Sequence, residues 1–142
     1  MTGGRLRLRP RLRERGHAIM ETALVFVPFL TLVGGVMEFS RLTLIRNSIT
    51  YAATQGARYA IVRGYNAASP ATTTSVASYV RTQSLGVSNP SAITVTTTWP
   101  DGDNKPGHRV RVQVDYSFQP VAALALKTAI PVRATSVMLI RQ

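Results

Sequence analysis

The sequence has 142 residues, of which 45% are hydrophobic, and a mean hydropathy of +0.07. This allows one compact domain with an anchor and excludes both a disordered chain and a polytopic membrane protein. There is no cysteine, so disulfides and thiolate metal sites are excluded. The net charge is +11, of which residues 1–16 carry +5, from six arginines and one glutamate, and residues 17–142 carry the remaining +6.

The basic N-terminal segment leads directly into an apolar run. Arginine occupies every second position from Arg5 to Arg15. Such an arrangement is typical of the charged region that precedes a membrane-inserted segment. Basic charge also suits nucleic-acid binding, but neither a recognition helix nor an RNA-binding signature follows it. We therefore predict a membrane anchor and no nucleic-acid partner.

The apolar run extends without a charged residue from Thr22 to Met37, with Glu21 and Glu38 at its two ends. As a helix it would be about 24 Å long, and the apolar residues on either side extend it toward the ~30 Å of a bilayer core. We predict a basic leader at residues 1–16, a transmembrane segment at 17–40 and an extracytoplasmic domain at 41–142. The arginines ahead of the span place the N-terminus in the cytoplasm.

The helical pattern continues beyond the apolar run. Apolar residues recur at steps of three and four positions, as expected for one face of a helix: Leu42, Ile45, Ile49, Ala52, Gly56 and Tyr59. One long helix from about His17 to Val62 is the simplest interpretation, with Pro28 as a possible kink and Gly64 as the stop signal. The stretch GGVMEFSRL offers a poor small-x-small cleavage site, so we predict a retained anchor and not a cleaved secretory signal.

A loop, a short helix and three strands follow. The short helix is predicted over about Thr72–Ser84, with Val76 and Val80 facing inward and Gly86 as its stop signal. Alternating apolar and polar residues predict strands over residues 93–99 and 109–118, joined by the turn-forming stretch PDGDNKPGH, and a last strand over 132–140. The predicted fold class is α+β, with a three-stranded antiparallel sheet covering the apolar stripe of the long helix.

No catalytic or metal-binding arrangement is evident. The two histidines, His17 and His108, do not make a metal site by spacing, and no nucleophile elbow occurs. Asp101 and Asp103 resemble the start of a calcium loop, but no glutamate follows at the required distance. We predict a protein that is not an enzyme, with no cofactor, no metal and no small-molecule substrate.

Three segments carry a resemblance to a known family. A basic leader that ends in Gly16, then Glu21 five residues later, then a long apolar helix resembles type IV prepilins. The stretches RGHAIMETALVFVPFLTLVGGVMEFSRL (15–42), EFSR (38–41) and AATQGARYAIVRG (52–64) resemble, more narrowly, TadE-like proteins of the tight-adherence (Tad/Flp) pilus system. The resemblance implies a pilin-like fold, and it is specific only over about the first 64 residues.

The resemblance implies cleavage between Gly16 and His17 by a prepilin peptidase of the membrane. Glycine lets a protease approach the backbone closely, and cleavage would leave a new α-amino group, which is largely cationic at neutral pH. The resemblance further implies that Glu21 meets such an amine on a neighbouring subunit. Two positions depart from the family pattern: Thr22 replaces a frequent aromatic residue, and His17 is a polar first residue.

Two functions remain open from the sequence. The first is a minor pseudopilin in the bacterial cytoplasmic membrane, whose partners would be the prepilin peptidase, other pilin-like subunits and the pilus assembly platform. The second is a signal-anchored extracytoplasmic binding domain unrelated to filament assembly. Glu38 and Arg41, three positions apart at the outer end of the span, are candidates for a local ion pair and for a subunit interface.

Overall fold

The computed structural model describes residues 12–121 and 128–141, with side chains from residue 16 onward. The elements in chain order are helix α1 (Leu12–Val62), helix α2 (Thr73–Gln83), a 3-10 helix (Pro90–Ala92) and strands β1 (Thr94–Thr98), β2 (Arg109–Phe118) and β3 (Ile130–Leu139). The predicted α+β class, with a long apolar N-terminal helix, a short helix and a three-stranded antiparallel sheet, is confirmed.

The chain divides into two compact units, of which the first ends at Met37 and the second begins at Glu38. Helix α1 begins at Leu12, five residues before the predicted start, and ends at Val62 as predicted. The earlier start has a physical reason, because leucine, arginine and glutamate in the stretch LRERG are good helix formers. Residues 1–11 of the predicted leader lie outside the described residues.

In the first unit the helix exposes its apolar side chains. Those exposed by more than half include Ile19, Met20, Leu24, Val25, Phe26, Val27, Phe29, Leu30, Leu32, Val36 and Met37. Pro28 lies inside α1, where its missing N–H leaves the carbonyl of Leu24 without its helical donor. The hydroxyl of Thr31 donates to the carbonyl of Val27 at 2.8 Å, which keeps that polar side chain bonded within the helix.

The core of the second unit forms between α1, α2 and one face of the sheet. The predicted stripe on α1 is confirmed at Ile45, Ile49 and Ala52, which are buried, while Leu42 and Tyr59 pack at its margin. The sequence pattern missed three further buried helix residues: Ala53, Ala57 and Ala60. Because these side chains are small, the backbone of α1 can lie close to the elements that cover it.

The sheet has the strand order β1-β2-β3, and both pairs are antiparallel. Val114 of β2 faces Val95 on one side and Ala134 on the other. The predicted alternation is confirmed, since Val110, Val112, Val114 and Phe118 are buried, Tyr116 is partly buried, and the positions between them are exposed or partly exposed. Strand β3 begins two residues earlier than predicted, and Pro131 near its start is tolerated because β3 is an edge strand.

Helix α2 begins and ends within one residue of its predicted bounds. Thr72 caps its N-terminus, where its hydroxyl accepts from the Ser75 N–H at 3.1 Å and its own N–H donates to the Ser75 hydroxyl at 2.9 Å. This reciprocal pair satisfies two backbone groups that a helix start leaves open. Val76 and Val80 are buried as predicted, so one face of α2 closes the core against α1.

The loop between β1 and β2 is held by ion pairs. Asp101 accepts from the Arg109 guanidinium at 2.7 Å and from the Arg109 backbone N–H at 2.8 Å. These hydrogen bonds lower the pKa of Asp101 from 3.8 to about 2. Asp103 pairs with Lys105 at 2.8 Å and also contacts His108, and the Lys105 bond is the main cause of its lowered pKa. Asp101 and Asp103 therefore tie the loop to its own basic side chains and to the start of β2.

Replacing Gly56 by leucine should destabilise the second unit. A Cβ at this position would overlap the side chain of Val80 and lie 3.3 Å from Val112. Overpacking a filled site costs about 3 kcal/mol for a side chain of this size. We expect a lower urea midpoint, followed by the fluorescence of Trp99, the single tryptophan. Gly35→Leu is the control, because nothing lies within 4 Å of a Cβ there; equal midpoints for the two variants would contradict the packing.

Stability of the second unit should fall as the pH is lowered from about 5 to 2. Asp101 has a folded pKa of about 2, below its ordinary 3.8, so its contribution is present above 3.8 and is lost as the folded pKa is approached. We expect Asp101→Asn to flatten this fall in urea midpoint. Glu21→Gln, which lies in the first unit, should leave the profile unchanged. Parallel profiles for wild type and Asp101→Asn would count against the ion pair.

Candidate membrane and subunit interface

Gly16 and His17 lie within helix α1, and both are exposed. Nothing lies within 4 Å of a Cβ built on Gly16. The peptide bond between these residues is therefore free of tertiary packing on all sides, although a protease would have to unwind the helix locally to bind it. The structure brings no other functional group to this bond among the described residues, so cleavage here stays a prediction.

Glu21 is an exposed carboxylate on an otherwise apolar helix surface. The side chains around it form a shallow apolar groove: Ala18, Thr22, Val25, Phe26 and Phe29. No cation pairs with Glu21 within the part of the chain that the structure describes. A carboxylate inside hydrocarbon is costly unless it is neutralised or paired. If this surface lies in a membrane, Glu21 therefore requires a proton or a cationic partner that the described residues do not supply.

Glu38 and Arg41 form the local ion pair that their spacing predicts. The Arg41 guanidinium lies 3.1 Å from each carboxylate oxygen of Glu38. Glu38 also accepts the backbone N–H of Val121 at 3.0 Å, and the guanidinium lies 5.5 Å from the centre of the Phe118 ring. Both side chains thus hold the end of β2 to the helix. Their predicted role in a subunit interface stays a prediction.

A stack of aromatic and cationic side chains joins α1 to α2, which the sequence analysis missed. The ring of Tyr59 stacks on that of Tyr79 with centroids 4.6 Å apart, and the guanidinium of Arg63 lies 4.0 Å from the Tyr59 centroid. Such contacts contribute about 1 kcal/mol each. The helical spacing places Tyr59 on the predicted stripe of α1, but nothing in the sequence indicates which side chain of α2 it meets.

The described residues contain no group of three or more His, Asp or Glu side chains that could hold a metal ion. Asp101 and Asp103, which resemble the start of a calcium loop, direct their oxygens to Arg109, Lys105 and His108 instead. Carboxylates that are neutralised in this way have little to offer a cation. The charge contacts within the loop therefore account for both carboxylates.

The remaining candidate interface is the apolar stretch of α1 itself. Among the described residues, one helix, Gly16–Val62, is long and apolar enough to cross a membrane by length and composition. None of its most apolar stretch is buried inside the protein. An apolar helix surface left open along such a stretch requires an apolar environment, which lipid or another apolar helix supplies.

Comparison with known proteins adds one match. Residues 16–58 match the family of TadE-like proteins. No curated protein and no solved structure matches the chain. The matched stretch begins at Gly16, includes Glu21, Glu38 and Arg41, and ends at Arg58, before α2. This match confirms the resemblance of the N-terminal part of the chain to TadE-like proteins and associates the protein with the Tad pilus system.

Proposed function

We propose that this protein is a minor pseudopilin that takes part in the assembly of a tight-adherence (Tad/Flp) pilus, after processing by a prepilin peptidase. The single observation that carries this proposal is the TadE-like match over residues 16–58, which starts at the glycine of the candidate cleavage site. An exposed apolar helix supports it, together with Glu21, whose carboxylate has no cationic partner among the described residues, because such a surface requires partners in the membrane.

In this proposal the chain crosses the bacterial cytoplasmic membrane once, with its N-terminus in the cytoplasm and the second unit outside. The arginines of the leader hold that end at the anionic inner surface. The peptidase cuts between Gly16 and His17, where the absence of a side chain on glycine lets a protease contact the backbone. Cleavage on this side leaves the apolar helix intact and creates an α-amino group on His17.

Glu21 then acts as the pairing group in the membrane. An amine and a carboxylate about 4 Å apart attract by about 4 kcal/mol at an effective dielectric constant near 20, before desolvation is subtracted. The net gain is therefore small. The requirement for a partner is nevertheless strict, because an uncompensated charge in hydrocarbon is unfavourable. Glu21 would thereby fix the register of neighbouring pilin-like helices along the membrane normal.

The second unit would make lateral contacts with other subunits or with the assembly platform outside the membrane. Its exposed surface includes Tyr51, Val62 and Tyr65 on and after α1. Glu38 and Arg41 keep part of their surface exposed as well, at 19% and 42% of their side chains. Entry into a surface pilus is consistent with this arrangement, in which the apolar helix packs inside and the second unit faces outward.

Replacing Gly16 by phenylalanine should block processing, because a bulky side chain would keep the peptidase from the backbone. We expect the native protein to begin at His17 in cells that contain a prepilin peptidase, and the Gly16→Phe variant to retain the leader, as measured by N-terminal mass spectrometry. Gly16→Ala is the matched control and should be cut at least in part. A native chain that still carries Met1 or Thr2 would contradict the proposed function.

Replacing Glu21 by alanine should leave processing largely intact and impair pilus assembly. The substitution removes the only described acidic group of the first unit but keeps the residues at the cut. We expect a chain that begins at His17 together with a strong reduction of surface pili, counted by electron microscopy. Thr22→Ala, which removes only a hydroxyl bonded to the Ala18 carbonyl, is the control. Normal pilus numbers in the Glu21→Ala strain would rule out the pairing role.

A further inference from the structure

A groove in the second unit lies between the first turns of α1 after Glu38 and the start of β3. Its volume is about 700 Å³. Its lining includes the apolar side chains of Phe39, Leu42 and Ile130 and the polar side chains of Arg46, Asn47 and Arg133. A groove lined by both apolar and cationic side chains is suited to an amphiphilic ligand that carries a negative charge.

The two arginines of the groove have guanidinium groups available for an anion. Arg46 is exposed and has no ion-pair partner among the described residues. Arg133 binds Asp115 through its Nε at 2.5 Å, which leaves its two terminal nitrogens to donate elsewhere. Asp115 is not among the lining residues, and none of the lining residues is acidic. Arg46 therefore supplies a positive charge to the groove, whereas the charge of Arg133 is offset by Asp115 and only its terminal N–H groups remain available to an anion.

The apolar lining of the groove is in part open to water. Phe39 is 70% exposed, whereas Leu42 and Ile130 are partly buried. Exposed apolar side chains that adjoin a cationic rim are typical of protein surfaces that contact lipid headgroups. A purely aqueous ligand such as inorganic phosphate would leave this apolar area uncovered.

The position of the groove in the chain favours lipid as its occupant. Phe39 comes two residues after Met37, the last residue of the uncharged run. Residues 39–47 rise about 12 Å along the helix, whereas the headgroup layer on each side of a bilayer is about 5–8 Å thick. This part of the inference rests on the proposed function, in which the apolar run spans the membrane. The groove then begins at headgroup level.

We propose that this groove binds the headgroup of an anionic phospholipid from the outer face of the membrane. The lipid phosphate accepts hydrogen bonds from Arg46, Arg133 and the amide of Asn47. Phe39, Leu42 and Ile130 contact the glycerol and the first methylenes of the acyl chains. Bound lipid would fix the second unit against the membrane before it meets a neighbouring subunit.

Native mass spectrometry of the full chain in detergent tests this proposal, with phosphatidylglycerol and phosphatidylcholine of equal chain length as probes. We expect wild type to retain phosphatidylglycerol preferentially, by about tenfold. The double variant Arg46→Gln, Arg133→Gln should lose this preference. The matched control is the double variant Arg58→Gln, Arg81→Gln, which removes the same charge from exposed positions of the same unit. This control should keep the preference for phosphatidylglycerol. Unchanged fluorescence of Trp99 verifies that both variants are folded.

Several outcomes would overturn the inference. They are equal retention of the two lipids by wild type, an unchanged preference in the groove variant, and loss of the preference in the control variant. Displacement of the lipid by millimolar inorganic phosphate would identify a free-anion site instead. A groove variant that keeps its lipid preference but no longer co-purifies with other pilin-like subunits would identify a protein interface.

The outcome of the lipid-binding test is independent of the outcome for the proposed function. A chain that retains phosphatidylglycerol at the groove but keeps its leader in the native cell would leave the lipid site standing and contradict the pseudopilin proposal. A chain that is processed at Gly16 but has no lipid preference would contradict the lipid site and leave the pseudopilin proposal standing.

Discussion

The close contact between the small-residue face of α1 and the elements that cover it is the constraint on which the second unit depends. Gly56 leaves no room for even a methyl group against Val80 and Val112, and the buried positions around it are alanines. Close packing of this kind fixes the rotation of the helix about its axis, because any larger side chain would be pushed into the sheet. The outward face, with Tyr51 and Arg58, is fixed as a consequence.

Charge is distributed in the two units in different ways. Each carboxylate described in the second unit contacts a cationic side chain: Glu38 with Arg41, Asp101 with Arg109, Asp103 with Lys105, and Asp115 with Arg133. Glu21, in the first unit, has no such contact among the described residues. The second unit therefore satisfies the acidic groups described in it, while the described residues of the first unit supply no cation to Glu21. This contrast supports a role for Glu21 between molecules.

The fold could be predicted from the sequence wherever the pattern is local. The alternation of Val110, Val112 and Val114 predicts β2, and the i, i+3, i+4 spacing of Ile45 and Ile49 predicts the buried face of α1. Alanine favours a helix at exposed positions as well as at buried ones, so its presence did not indicate that Ala53, Ala57 and Ala60 are buried. The predicted start of α1 was wrong because the leucine, arginine and glutamate residues of the basic leader also favour a helix.

The candidate site could be predicted only in part, for a related reason. The spacing of Glu38 and Arg41 predicts their ion pair. The bond from Glu38 to the backbone of Val121, by contrast, joins residues 83 positions apart, and no sequence pattern reports such a contact. Among the residues that the structure describes, no cationic side chain pairs with Glu21. A single sequence can therefore indicate that the carboxylate needs a cation but cannot identify the molecule that supplies it.

The pairing of the acidic groups in the second unit has a consequence for its neighbours. Once these carboxylates are neutralised, the surplus of positive charge rests on arginines without an acidic partner among the described residues, such as Arg46, Arg58 and Arg111. Two copies of such a surface repel each other at low ionic strength. Contact between identical second units is disfavoured, and an acidic neighbour is attracted to the same surface. The second unit is thus better suited to contact an acidic partner than a second copy of itself.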